Sequence, residues 1–285
     1  MDISQLPKGA LPDKEDLRDF QAEPVMGAAQ VDWTKEFRLP EPPDEDQGQS
    51  LSCVSQSWSY YHWQLHGKDY SRKDLYSRIF LPQGGAYIRD GGLQIVKNGQ
   101  ATRDEVPDPK PETEDGMRAG AGTPQQEADD KELNSFVIGS NTIDACALAI
   151  QQYQGVVFGV IGTNEGWQDL TNPRPPQDAE QQWSHALYGM GFHLHAGVKC
   201  IIAKSSWCSV VREHHIKENY FVSRFTFNPW TLIPRKDIMS QIATQALGSE
   251  RRIILKAATQ EQWKALCAVY GKDPDKVEEQ VWTQV

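Results

Sequence analysis

The stretch Asp44–Gln64, DEDQGQSLSCVSQSWSYYHWQ, decides the fold. It sets Cys53 between a run of small polar residues and a segment in which Val54, Trp58, Tyr61 and Leu65 recur at mixed three- and four-residue spacing. That is the period of a helix buried over much of its surface, and it predicts one from Ser52 to about Leu65, stopped by Gly67. A cysteine at a helix start has two readings. It is a nucleophile, because the helix dipole and first-turn amides stabilise the thiolate that attacks, or it is a small apolar residue on its way into a core. The rest of the sequence has to decide between them.

The chain has 285 residues, of which 39% are hydrophobic and 24% charged, which suits one large globular domain with appendages. A net charge of −10 argues against nucleic acid or an anionic membrane surface as the main partner, since both reward clustered Lys and Arg. The N-terminus lacks the basic stretch and apolar core of a secretory signal, and no run approaches the roughly 20 apolar residues of a membrane span. A cytoplasmic location is the resulting expectation. Cys53, Cys146, Cys200, Cys208 and Cys267 are odd in number, scattered and without a CxxC pair, so they read as free thiols.

Residues 1–30 are an expected extended lead-in, with a strand near QVDW (30–33). Ser71 with Asp74 three residues on is a variant capping box that predicts a helix from about Arg72. DGGLQIVKNGQ (90–100) predicts a short helix ended at Asn98-Gly99. The acidic, Pro- and Gly-rich residues 104–130 read as a solvated loop. The period then changes. TIDACALAIQQYQ (142–154) is helical, whereas GVVFGVIG (155–162), HALYGMGFHLH (185–195), VKCIIAKSSW (198–207) and NYFVSRFTF (219–227) are β-branched and aromatic runs bounded by turn residues. Helices first and an antiparallel sheet second give an α+β protein of two subdomains, and residues 235–285 return to helical signals.

His185, in QQWSHALYGMGFHLH, stands 132 positions after Cys53 at the start of a small-residue strand, where it could serve as a base. KSSW (204–207) ends the next strand and offers a polar side chain to orient an imidazole. With these residues in view, DQGQSLSCVSQSWS (46–59) resembles the nucleophile motif of papain-like cysteine peptidases: a Gln-Gly pair, then the nucleophile six residues after the Gln. SHALYGMGF resembles that family's His strand, CIIAKSSW its Asn-Ser-Trp strand, and LPQGGAYIRDGGLQIVKNGQ its Gly-Gly substrate strip and the helix beyond. The four motifs arrive in the family's order between about Gln30 and Thr226.

The resemblance implies a two-lobed papain-like domain over residues 31–234, a helical lobe and an antiparallel β lobe with a cleft between them, followed by a helical C-terminal extension over 235–285. It implies Cys53 as nucleophile and His185 as general base, in a thiolate–imidazolium pair that attacks a peptide carbonyl. Gln47 and the Cys53 amide would hold the oxyanion. Ser205 stands where the family has its orienting Asn, Trp207 would shield that hydrogen bond, and Gly84 and Gly85 would leave room for an extended substrate. The implied substrate is a peptide or protein segment, with no metal or organic cofactor, and the lead-in or C-terminal helices could engage a protein partner. The sequence also departs from the pattern: Val54 replaces an aromatic residue, Leu51 a glycine, Ser50 a disulfide cysteine and Cys208 a glycine, and the family's second Trp-Gly pair is missing. Those losses make a catalytically silent interaction module the alternative, with acyl transfer by the same dyad a third.

Fewer than 50 residues precede the Gln-Gly pair, short for the family's usual helical pro-segment. The lead-in is therefore expected to pack on the body and leave the cleft open. HLH (His193, His195) and EHH (Glu213, His214, His215) each offer metal ligands without a convincing third, and read as solvated loop or strand histidines. GGAYIRDGG lacks the Lys-Ser/Thr of a phosphate loop, so no nucleotide is expected.

Overall fold

A computed structural model describes residues 5–14, 30–120 and 141–234, and the backbone of 133–137. The helical extension expected over 235–285, most of the lead-in and residues 121–130 lie outside the described residues.

The first lobe is built around α1 (Cys53–His66), which the sequence spacing predicted closely. Its first ten residues are all buried, so the helix runs through the protein with no solvated face until its last turn. Gly67 ends it at φ +69°, a left-handed conformation that glycine adopts without strain, and returns its amide to the Trp63 carbonyl at 2.7 Å. α2 (Arg72–Ile79) opens on Ser71, whose hydroxyl accepts the Asp74 amide at 3.0 Å, as the capping pattern predicted. α3 (Ile88–Asn98) ends at Gly99 and packs its Gly91 under the Trp58 ring, so closely that a Cβ there would stand 2.3 Å from it. The Trp58 indole donates to the Ile88 carbonyl at 2.8 Å.

The acidic segment corrects the sequence reading over its described part. Residues 104–120 are not a solvated loop: they carry α4 (Glu114–Arg118), with Met117 fully buried. Their acids find specific donors in the helical lobe. Asp108 accepts from Arg103 Nε at 3.1 Å and from the Lys73 amide at 2.8 Å. Glu112 accepts from Gln56 Nε2 at 2.7 Å, and Glu114 from the Leu51 amide and the Tyr76 hydroxyl, each at 2.7 Å. Composition measures hydration cost and is blind to such partners.

The second lobe is a seven-stranded sheet in the order β4 (Leu133–Val137), β9 (Thr226–Pro234), β5 (Val156–Thr163), β6 (Gln182–His195), β7 (Val198–Lys204) and β8 (His214–Lys217), with β2 (Phe37–Arg38) paired to β6 beyond the end of β5. The pairings from β9 through β8 are antiparallel. α5 (Ile143–Tyr153) covers the sheet, its Thr142 cap accepting the Ala145 amide at 3.2 Å. A shared core joins Val54, Trp58 and Tyr61 of α1 to Ala186, Tyr188 and Met190 of β6 and to Trp230 and Leu232 of β9. Two local expectations are corrected. QVDW is not a strand; the first pairing in that region is at Phe37. NYFVSRFTF splits into α6 (Glu218–Val222) and the start of β9. HHIK forms β8, which makes His214 and His215 strand residues.

β3 (Ala86–Tyr87) follows the Gly84-Gly85 turn and pairs in parallel with β1 (Ala10–Leu11) of the lead-in. That small ribbon lies at the candidate site.

Candidate active site

Cys53 is the first residue of α1, and Asp46–Ser52 is the loop that delivers it. Gln47 folds this loop: its amide donates to the Ser206 carbonyl at 3.0 Å, and its carbonyl accepts from the Ser50 amide at 3.0 Å. Gly48 turns the chain at φ +55°. Glu114 ties down the Leu51 amide from outside. The loop is thus pinned to both lobes.

His185 lies on β6 opposite Val160 of β5. The next residue, Ala186, directs its amide at the Cys53 sulfur, as do the first amides of α1. The structure therefore brings Cys53 and the His185 segment together from separate lobes. Trp207 stacks on the imidazole, ring centroids 3.9 Å apart and planes 20° from parallel. Both His185 ring nitrogens are buried and make no hydrogen bond among the described residues.

Ser205 does not bond to His185 in this structure, which corrects its expected orienting contact. Its hydroxyl lies 2.8 Å from His214 Nε2 and accepts the Trp207 amide at 3.4 Å. His214 Nδ1 faces the Leu170 carbonyl, which can only accept, so the proton sits on Nδ1 and the bare Nε2 accepts from Ser205. Burial pushes the His214 imidazole down to about 4, consistent with that neutral tautomer. Sequence reading missed His214 in this role because EHH was weighed only as a metal motif.

The lead-in provides the main correction. Residues 5–14 run through the cleft, against the expectation that they would leave it open. The Gly9 amide is directed at the Cys53 sulfur, and the Gly9 carbonyl accepts from the Ala86 amide at 2.9 Å. Ala10 and Leu11 pair with Ala86 and Tyr87. Ser184, beside His185, donates its hydroxyl to the Ala10 carbonyl. The Pro7 carbonyl accepts from the Trp207 indole at 3.2 Å and from Gln47 Nε2 at 3.4 Å, while the same Gln47 amide group donates to the Ser50 carbonyl at 2.7 Å. Asp13 is the far anchor, its carboxylate accepting from the Trp230 indole at 2.7 Å and the Arg89 amide at 3.1 Å.

Glycine is required at two points of this fit. A Cβ on Gly9 would stand 2.1 Å from the Leu51 carbonyl oxygen, and one on Gly85, at φ +73°, would stand 2.1 Å from the Gly9 oxygen. The Gly85 amide is itself held by the Tyr76 hydroxyl at 3.0 Å. Sequence reading singled out neither Lys8 nor Gly9, which the fold sets beside His185 and Cys53.

Closure sets the electrostatics. Burial pushes the Cys53 thiol up to about 11, only partly offset by the amides of Ala186, Gly9, Val54 and Cys53 itself. Burial also holds the His185 imidazole well below its usual range, with His214 and the Lys8 ammonium adding to the effect. Both shifts favour the neutral thiol and the neutral imidazole while the strap covers them.

No family model and no curated protein sequence matches the chain. Solved structures do. The chain is similar to xylellain, a cysteine protease from Xylella fastidiosa, at 20% identity and a TM-score of 0.65 over 81% of this chain and 97% of that one. It is similar to digestive procathepsin L2 from the larval midgut of Tenebrio molitor at 15% identity and a TM-score of 0.61, over 81% and 79% of the two chains. It is also similar to the ragweed pollen cysteine protease Amb a 11 in its proform, at 13% identity and a TM-score of 0.58 over 74% and 70%. At these identities the likeness is one of fold. A helical lobe that opens on Cys53, an antiparallel lobe that carries His185 and Trp207, and a cleft between them give this chain the α+β fold of papain-like cysteine proteases.

Proposed function

We propose that the protein is a cysteine peptidase of papain-like mechanism, kept latent by its own residues 5–14. One observation supports this above the others: the cleft at Cys53 already holds an extended polypeptide, read through its main chain by Ala86 and Gln47 and admitted by Gly85. A peptide substrate needs the same contacts.

In the reaction, Cys53 passes its proton to His185 and the thiolate attacks the scissile carbonyl. Gln47 Nε2 and the Cys53 amide stabilise the oxyanion, each such donor contributing roughly 3–4 kcal/mol in related chemistry. The C–N bond breaks as His185 protonates the leaving amine. Water then gives a proton to His185 and hydrolyses the thioester, restoring the thiol. The backbone amide of Gly9, in the strap, is among the groups around the Cys53 thiol. Departure of the strap would admit water to both groups and remove the Lys8 charge from His185, which favours the ion pair.

Among the described residues no helix is long and apolar enough to cross a membrane. Cys146, Cys200 and Cys208 are free thiols, and a reducing compartment such as the cytosol belongs to the same reading.

The test is hydrolysis of a fluorogenic peptide pool by a chain that begins at residue 15. Turnover lost in both Cys53→Ala and His185→Ala supports the peptidase. No turnover by a folded chain, with the pool still bound, assigns the cleft to a silent peptide-binding module.

A further inference from the structure

The two histidine motifs that sequence reading set aside separately converge in the fold. His193 and His195 stand two residues apart on β6, so both side chains leave the same face of the strand. β7 pairs with β6 through Gly191–Ile202 and His193–Cys200, and β8 pairs with β7 through Ile202–His215. Counting across those pairs places His215 on the face shared by His193 and His195. The three rings meet above β7, with centroids 4.8 Å (His193–His215), 5.5 Å (His195–His215) and 5.9 Å (His193–His195) apart. One nitrogen from each lies within 4.8 Å of the other two.

We propose that His193, His195 and His215 form a binding site for a borderline divalent transition-metal ion, with Zn2+ as the representative. The third ligand that neither motif offers alone is supplied by β8. Three imidazoles suit Zn2+ and its neighbours Ni2+ and Cu2+ far better than Mg2+ or Ca2+, which take oxygen.

Two further features distinguish this group from three surface histidines. The His193 Nε2 and His215 Nδ1 atoms are buried and make no hydrogen bond among the described residues, which is costly unless something else uses their lone pairs. The other nitrogen of His215, Nε2, lies 3.2 Å from a Glu213 carboxylate oxygen, and Arg38 fixes that carboxylate from β2. A carboxylate that holds one imidazole nitrogen and leaves the other free is the arrangement that orients histidine toward a metal.

Tetrahedral zinc with Zn–N near 2.05 Å needs nitrogens about 3.3 Å apart, so side-chain rotations that draw the ligand nitrogens together by up to about 1.5 Å would complete the site. A fourth position remains for water. The site lies eight residues along β6 from His185, about 25 Å at strand rise, so it is separate from the Cys53 chemistry. An ion there would tie the β6–β7 hairpin to β8.

The test is Zn2+ titration of the untagged full chain carrying Cys53→Ala, so that the catalytic thiol cannot contribute, with Co2+ as spectroscopic probe. One ion per chain, a rise in the melting temperature of the sheet lobe, and a Co2+ spectrum without thiolate charge transfer are expected. His195→Ala, at the solvent-facing hairpin end, is expected to weaken binding at least tenfold, and Glu213→Gln about 10- to 100-fold through His215. Absence of binding at millimolar Zn2+, a thiolate band, or affinity unchanged in folded His195→Ala and His215→Ala variants would overturn the assignment.

Discussion

At the scale of single residues, the site separates what a sequence motif names from what a side chain does. Cys53, Gln47 and His185 could be singled out because the proposed nucleophile, oxyanion donor and base are residue types in a fixed order, and the fold draws their segments together. Ser205 was legible only as a position. Its hydroxyl proton belongs to His214, and the His185 ring is held by the face of Trp207. Ser205→Ala should therefore leave a buried imidazole nitrogen unpaired and cost about 1–3 kcal/mol in urea unfolding, with Cys53 reactivity of the strap-deleted chain unchanged. A variant that keeps its stability but loses Cys53 reactivity would place Ser205 on His185 after all.

At the scale of elements, the strap behaves as a strand with one face on each lobe. Gly9 is the point where it cannot bear a side chain, since even a Cβ would overlap the Leu51 carbonyl. Gly9→Val should undock the strap and raise the rate of Cys53 alkylation in the full chain by about tenfold for each 1.4 kcal/mol of docking lost. A rate equal to that of the parent would mean that Gly9 does not control access.

The strap anchor also carries a pH signature. Burial raises the Asp13 carboxyl from 3.8 to about 6 in the docked state. A raised carboxyl binds its proton more tightly when docked, so docking is strongest below pH 4, weakens as pH rises through 4 to 6, and is level above that. The shift of about two units corresponds to about 3 kcal/mol, or about 100-fold in affinity. His185 acts in the opposite sense, because its imidazole must stay neutral when covered. A comparison of synthetic strap peptides with Asp13 and with Asn at that position, titrated onto the chain lacking residues 1–14, cancels the His185 effect. The ratio of the two dissociation constants is expected to change about 50-fold between pH 7 and pH 4. A ratio that does not move would show that Asp13 stays ionised at its anchor.

At the scale of the whole molecule, the sequence carried the order of helices and strands because α1, α2 and the central strands express their periods clearly. It failed where the deciding partner is distant in the chain. The acids of residues 104–120 look solvated until Arg103, Gln56, Tyr76 and the Leu51 amide are seen around them. β8 is four residues long, and its edge pairing with β7 cannot be read from His214-His215-Ile216-Lys217 alone. The strap was misjudged because counting residues before Gln47 measures the length of a segment, and docking depends on glycines at Gly9 and Gly85 that admit close backbone contact.

Residues 5–14 cover Cys53 and lie beside His185, and burial favours the neutral form of both. Burial pushes the Cys53 thiol up to about 11, which favours the unreactive thiol over the thiolate at pH 7 in the closed chain. The direct measurement is the rate of Cys53 labelling by an epoxide or vinyl-sulfone probe at pH 7, in the full chain, in the chain lacking residues 1–14, and in that shortened chain with His185→Ala. Labelling that accelerates by orders of magnitude on removal of the strap and falls back on loss of His185 is the predicted result; equally slow labelling in all three would contradict it.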